Sequence, residues 1–324
     1  MQRMMTALVL AFVLGAILGK LLLPILYKLK FGQNIYELAP EAHKKKQGTP
    51  IMGGLAFAGA AIAASLLLND YSVPLTQNMT LATILMALGN MCIGFADDMT
   101  KIRSGKNGGL TPKQKMAVQT ILALAFSVYC YFHPMVGSVI KVPFFGWEWN
   151  LGILYIPAMM FVIVGTTNSA NLLDGLDGLC TGVSMLDFAT MAVIAGAAGL
   201  GGDLGVVCTA MVGGLMGFWL YNVHPAKMFM GDTGSMFIGG AVVAAAMLLR
   251  QPLILVLIAF WMLMSSLSVM IQVTYYRKTG GKRIFRMTPI HHHFELCGMS
   301  EFRIVAMYMT TTVILCAITL MGVL

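Results

Sequence analysis

Charge is what this sequence has least of. Only 10% of its 324 residues are charged, 21 Lys and Arg against 13 Asp and Glu, where a soluble protein carries about 25%. A water-soluble globule of this length could not cover its surface with so few ionised groups. The same scarcity excludes a disordered chain and a basic nucleic-acid-binding domain. Cysteine is sparse too, six in all, without the density of a disulfide scaffold or the paired spacing of a metal module. What is present is apolar: 58% hydrophobic residues, with 28 Met and 35 Gly. The composition points to an all-α polytopic membrane protein, read as a single domain over residues 1–324.

A bilayer core takes about 20 apolar residues as a helix. Ten spans are predicted: 5–27, 51–68, 79–96, 116–133, 151–168, 181–199, 204–221, 236–250, 252–275 and 303–323. Their apolar runs are continuous rather than alternating, which favours helices over a barrel. The first has no small-residue cleavage site and reads as a transmembrane helix rather than a signal peptide. Lys20 inside it is expected to snorkel. Arg250-Gln251-Pro252 marks a tight turn between two spans. The loop 134–150, with Pro143, Gly146 and two Trp, reads as a short hairpin with aromatic interface anchors.

Ten spans sort the loops into two sets. The set 28–50, 97–115, 169–180, 222–235 and 276–302, with Arg303 at its margin, holds seventeen of the 21 Lys and Arg. The other holds Arg3, Lys141 and Arg250. By the positive-inside rule the first set is cytoplasmic and both termini face outward.

The acids follow the bases. Asp97, Asp98, Asp174, Asp177, Asp232, Glu295 and Glu301 all fall in or beside the basic loops, with His224 and His291, His292 and His293. Asp97-Asp98-Met99-Thr100-Lys101 crowds two carboxylates, which favours a divalent cation or one shared proton. Lys101 lies on the same side if the helix continues. A solvated helix end would look similar. In Asn171-Leu172-Leu173-Asp174-Gly175-Leu176-Asp177-Gly178, two Asp three apart are predicted to share a helical face, with Asn168 and Asn171 offering amides to a polar ligand. The plainer reading is an Asx turn.

Gly231-Asp232-Thr233-Gly234-Ser235 opens a helix with free N–H groups, a carboxylate and hydroxyls, a set suited to phosphate and Mg²⁺ or to simple capping. Nearby, Phe229 can stack on a base or merely fill the core. Half of all the histidines are consecutive, in Pro289-Ile290-His291-His292-His293-Phe294-Glu295. Three successive residues on a helix cannot share one metal, so phosphate contact is preferred to zinc. Lys44-Lys45-Lys46 before Gly48-Thr49-Pro50-Ile51-Met52-Gly53-Gly54 either enforces topology or holds an anion. Taken together, five motifs on one face describe a composite site for metal-assisted phosphoryl transfer onto a lipid.

These residues resemble the polyprenyl-phosphate N-acetylhexosamine-1-phosphate transferases over essentially the whole chain. Asp-Asp-x-x-Lys and Asn-x-x-Asp-Gly-x-Asp-Gly are similar to the superfamily at large. Lys-x-Gly-Thr-Pro-x-Met-Gly-Gly and Pro-Ile-His-His-His-Phe-Glu are similar to its muramoyl-pentapeptide branch. The resemblance implies that UDP-N-acetylmuramoyl-pentapeptide and undecaprenyl phosphate give lipid I and UMP, with Mg²⁺. It implies a bacterial plasma membrane, a cytoplasmic cleft, a homodimer and no nucleic-acid partner. It makes Asp232 the Mg²⁺ ligand, and Asp97 and Asp98 the essential pair, one of them a base for the lipid phosphate. His291, His292 and His293 would contact substrate phosphate or sugar. On the substrate side it places Lys46, Lys101, Lys115, Asn171, Asp174, Asp177, Asn222, Phe229 and Gln272, with Phe229 near uracil. Ile51 departs from the family, which usually has a second Thr there, and puts one hydroxyl contact in doubt. Two rival readings are a cation-coupled transporter, whose acids would sit near the midplane, and a sister enzyme using N-acetylglucosamine, against which the triple His stands.

Overall fold

The computed structural model describes residues 1–29, 46–104 and 108–324. In chain order the helices are α1 (Gln2–Lys28), α2 (Gly54–Leu68), α3 (Met79–Ser104), α4 (Pro112–Phe132), α5 (Tyr155–Leu173) and α6 (Leu179–Ala197). They continue with α7 (Leu204–Asn222), α8 (Gly231–Leu248), α9 (Leu255–Ile258), α10 (Phe260–Lys278), α11 (Ile290–Leu296) and α12 (Glu301–Val323). An antiparallel hairpin, β1 (Val139–Val142) and β2 (Trp147–Asn150), pairs Val139 with Asn150 and Val142 with Trp147. Trp147 and Trp149 are exposed on it, as the expected aromatic anchors would be. Lys30, Lys44, Lys45 and Lys106 lie outside the described residues.

Apolar patterning explains who sits where. α8 is small-residue rich and buried from Thr233 to Leu248, so it forms the axis of the bundle, packed by α2, α3, α5 and α6. α1 is one-sided. It exposes Met5, Val9, Val13, Ile17, Leu21 and Ile25, four apart, and buries Met4, Ala7, Ala11, Gly15 and Gly19. The small stripe packs on α7 so closely that a Cβ on Gly213 would lie 2.1 Å from the Leu8 carbonyl oxygen, the close approach that small residues permit between helices in lipid. Lys20 is exposed on the same helix.

Every predicted span falls on a helix, with two differences. Eight of the described helices are long and apolar enough to cross a membrane. The segment predicted at 51–68 is the shorter α2 of 15 residues, and the continuous span predicted at 252–275 is bent by 82° between its two helices. No proline or glycine stands at that break. Ala259 leaves helical geometry at φ −91, ψ 27 because the two halves pack on different neighbours, α9 on α12 and α10 on α5. Trp261, just past the bend, stacks on Tyr308 of α12 with ring centroids 3.7 Å apart. Asp187, predicted inside a span, lies midway along α6 and is fully buried.

The loops gather on two faces. On one, Arg3 pairs with Asp70 at 3.1 Å, Asp203 accepts from the N–H groups of Met79 and Thr80 at 2.9 and 2.6 Å, and Phe144 bonds to Gly322 near the C-terminus. Both termini therefore share the hairpin face. The opposite face carries all the predicted site residues.

Candidate functional site

α3 runs on past Asp98 to Ser104, so Lys101 does sit one turn beyond the two acids. Its Nζ lies 2.6 Å from Asp97 Oδ2, 3.8 Å from Asp98 Oδ1 and 3.1 Å from Asp232 Oδ2. Asp232 stands in the first turn of the axial helix α8. Its Oδ2 also meets Lys115 Nζ at 3.0 Å, while its Oδ1 accepts from the Asn171 amide at 2.8 Å. Asn171 is aimed by Ser235 at 2.9 Å and by Lys115 at 3.3 Å. Lys115 is held in turn by the start of α4, where Thr111 and Gln114 form a capping box, each satisfying an otherwise orphaned N–H. Asp97 Oδ1 accepts from Leu110 N at 2.9 Å.

Asp97, Asp98 and Asp232 thus offer oxygen atoms within 4.8 Å of one another. An all-carboxylate set of this density suits a hard divalent cation, and the Lys101 ammonium already stands among them as a positive charge. The arrangement could hold a metal ion, and it joins Lys101, Lys115 and Asn171 to the three acids.

Asp174 and Asp177 correct an expectation. They do not share a helical face, because α5 ends at Leu173 and a turn with Gly178 at φ +75 opens α6. Desolvation, then the neighbouring charges of Asp232, Asp98 and Asp177, push the Asp174 carboxyl well above its ordinary value, with Lys101 opposing. Asp177 belongs to a second cluster. Its Oδ1 lies 2.6 Å from Lys46 Nζ, and its Oδ2 accepts from Ala226 N and contacts His224 Nδ1, both at 3.0 Å. Glu301, first residue of α12, holds Lys46 at 2.7 Å, accepts from Asp177 N at 2.6 Å and lies 3.2 Å from His224.

The sequence sets Glu301 and His224 among the basic loops but gives them no part in the site. No spacing could join them, since positions 46, 177, 224 and 301 come from four different connections. Asn222 and Gln272 are spent on the protein itself. Asn222 accepts from the Thr181 hydroxyl at 2.7 Å and donates to the Met228 carbonyl at 3.0 Å. Gln272 accepts from Ile284 and Phe285 N–H groups at 3.0 Å, bracing the connection after α10. Asn168 donates to Gln119 and to Val164 within the helices rather than offering its amide to a ligand. Phe229 is half-buried, and its main chain bonds to Pro50 and Gly53 at 2.8 Å, tying the segment before α2 to the start of α8. Ile51 is buried.

The three histidines lie on α11 and point apart, as successive helical residues must. His291 is buried and packs directly against Gly175, beside the Asp174 turn. His292 Nδ1 lies 2.7 Å from Glu295. His293 Nδ1 accepts from Arg286 N at 3.2 Å. Of the three, His291 is the one whose described contact touches the acid-bearing turns.

Comparison with known proteins adds the following. Residues 80–250 match the glycosyl transferase family 4. The chain is 43% identical over 318 residues to a phospho-N-acetylmuramoyl-pentapeptide-transferase from Clostridium novyi, covering 98% of this chain and 96% of that one. It is 42% identical over 317 residues to the Clostridium perfringens protein of the same name, at 98% and 95% coverage. A Listeria innocua protein of that name is 42% identical over 295 residues, covering 91% of this chain and 90% of its own.

Proposed function

Because the chain belongs to the glycosyl transferase family 4 and, within it, to the phospho-N-acetylmuramoyl-pentapeptide transferases, we propose that it makes lipid I for peptidoglycan synthesis. UDP-N-acetylmuramoyl-pentapeptide is the donor and undecaprenyl phosphate the acceptor. An oxygen of the lipid phosphate attacks the β-phosphorus of the donor. The bond from that phosphorus to the bridging oxygen breaks, and UMP leaves. The second pKa of a phosphate monoester is about 6, so the nucleophile is largely ionised at neutral pH and direct in-line attack needs no strong base.

The observation that carries this reading is the oxygen cluster of Asp97, Asp98 and Asp232 with two lysines on its rim. Asp232 is the principal Mg²⁺ ligand in this proposal, with Asp97 facing the same centre. When bound, Mg²⁺ neutralises phosphate charge and polarises the reacting phosphoryl group. Lys101 and Lys115 bring two further positive charges to phosphate oxygens, and Asn171 holds the Asp232 carboxylate in orientation. Lys46, Asp177, Asn222 and Phe229 border the nucleoside side, Asp174 lies between the clusters, Gln272 shapes the neighbouring loop, and His291, His292 and His293 flank the sugar phosphate. The site face is the cytoplasmic face of a bacterial plasma membrane in this proposal, supported by the seventeen Lys and Arg that the sequence assigns to one set of loops.

The test combines the purified full-length protein with undecaprenyl phosphate, radiolabelled UDP-N-acetylmuramoyl-pentapeptide and Mg²⁺. A labelled lipid product, lost in Asp232→Asn, is expected. Turnover with UDP-N-acetylglucosamine but not with the muramoyl donor would overturn the substrate assignment.

A further inference from the structure

The adjacent acids Asp97 and Asp98 are not equivalent. The Asp97 oxygens meet Leu110 N and the Lys101 ammonium on the rim of the cluster. The Asp98 side chain is 2% exposed, and both of its oxygens are engaged by the start of another helix. Oδ2 accepts from Thr233 N at 2.9 Å and from the Thr233 hydroxyl at 2.7 Å. Oδ1 accepts from Asp232 N at 3.3 Å. The first N–H groups of α8 have no intrahelical partner, and residue 230 before it, a methionine, supplies no side-chain cap. Asp98 therefore caps α8 from the neighbouring helix α3, with its charge at the positive end of the helix dipole.

Two glycines show that the backbones are built for this contact. Gly231 has φ +71, and a Cβ on it would lie 2.6 Å from Asp98 Oδ2. A Cβ on Gly94, one turn before Asp98, would lie 2.1 Å from the Asp232 carbonyl oxygen. A general base needs a free lone pair within reach of the proton that it takes. Asp98 has both lone pairs of Oδ2 and one of Oδ1 directed at α8 instead.

We propose that Asp98 is a positioning residue: it fixes the backbone at 232 and 233 and thereby aims the Asp232 carboxylate at the metal and phosphate centre. This rests on the reading of Asp232 given above. Asp97 is left as the acid of the pair that faces the reacting groups.

The test measures Mn²⁺ affinity of the full-length protein by the loss of the free-ion paramagnetic resonance signal, and kcat at saturating Mg²⁺, for Asp98→Asn and Thr233→Val. Asp98→Asn weakens Mn²⁺ binding roughly tenfold to a hundredfold, the scale of a lost charge-assisted hydrogen-bond set. At saturating Mg²⁺ its kcat stays within about tenfold of the parent, because a positioning loss is less severe than the removal of a reacting group. Thr233→Val shifts Mn²⁺ affinity in the same direction, and the double variant falls short of the product of the two effects. A thousandfold loss of kcat in Asp98→Asn with unchanged Mn²⁺ affinity would make Asp98 a reacting group. Weakened Mn²⁺ binding in Asp98→Asn with none in Thr233→Val would make it a direct ligand. Either result overturns the proposal. If Asp98→Asn does not fold, Thr233→Val still decides, since a normal Mn²⁺ affinity there refutes the aiming role. Absence of any lipid product from the parent protein would sink the transferase reading alone, because the Mn²⁺ comparison is made without substrates.

Discussion

Removing the Lys46 ammonium offers a quantitative test of the second cluster. Lys46 faces three carboxylate oxygens, Asp177 Oδ1 at 2.6 Å and both Glu301 oxygens at 2.7 and 2.9 Å. Its side chain is 16% exposed, and those of Asp177 and Glu301 are 2% and 11% exposed. Lys46→Met keeps most of the aliphatic stem and deletes the charge, leaving two poorly solvated acids facing each other. Breaking a buried pair by removing one partner costs about 3–5 kcal/mol. The lower end applies, because His224 is half-exposed and lies 3.0 Å from Asp177, so the site stays partly open to water. A loss of about 3 kcal/mol spread over a chain of this length lowers the unfolding midpoint by roughly 4 °C. Thermal unfolding in detergent, followed by tryptophan fluorescence at one scan rate, reads this directly. Adding Glu301→Gln to Lys46→Met should recover more than about 1 kcal/mol, because the second change removes the repulsion that the first created. Additive effects, or an unchanged midpoint in Lys46→Met, would refute the idea that these four connections are tied by one ion-pair network.

Two further predictions concern the hairpin face and the membrane interior. Asp203→Ala removes the side chain that accepts from Met79 N and Thr80 N at the start of α3. It should cost about 1–2 kcal/mol, as lost helix caps do, lowering the midpoint while leaving transferase turnover intact. Asp187 is fully buried in α6, and both of its oxygens lack a hydrogen-bond partner among the described residues. Asp187→Leu removes that unsatisfied polar group at similar volume and should raise the midpoint by an amount worth about 1–3 kcal/mol. A lower midpoint would mean that the carboxyl is paired after all.

The sequence-level reading succeeded wherever a single helix carried the information. Continuous apolar runs located the helices, and the helical repeat put Lys101 beside Asp97. It grouped the motifs of the basic loops on one face, but it could not pair particular side chains across distant segments. Asp174 and Asp177 have the spacing of one helical face, but the helix ends at Leu173 and the next opens only after Gly178, so the two acids lie in a turn and only Asp177 joins the second cluster. The bend at Ala259 has no proline or glycine to announce it, because it is imposed by α12 on one side and α5 on the other. Gln272, which the family resemblance places on the substrate side, has its amide taken up by the chain 12 and 13 residues later. Glu301 and Lys46 are 255 residues apart, and only the folded bundle brings them together.

The scarcity of charge bears on the cation proposed for the first cluster. Its three carboxylates, from Asp97, Asp98 and Asp232, face two ammoniums, from Lys101 and Lys115. Formally that leaves one negative charge in a partly desolvated pocket, and a phosphate brought there would be repelled. At 4 Å, two like charges repel by about 4 kcal/mol at an effective dielectric constant of 20, too much to absorb for a reaction that must hold two phosphorylated substrates at once. One divalent cation reverses the sign of the pocket. The second cluster differs: Asp177 and Glu301 against Lys46, with His224 beside them, already surround the only nearby lysine in the described contacts. Its remaining capacity is for hydrogen-bond donors rather than anions. Formally both clusters carry one negative charge, so what separates them is composition: three carboxylates converging with two lysines in the first, and two acids closed around one lysine with an imidazole beside them in the second.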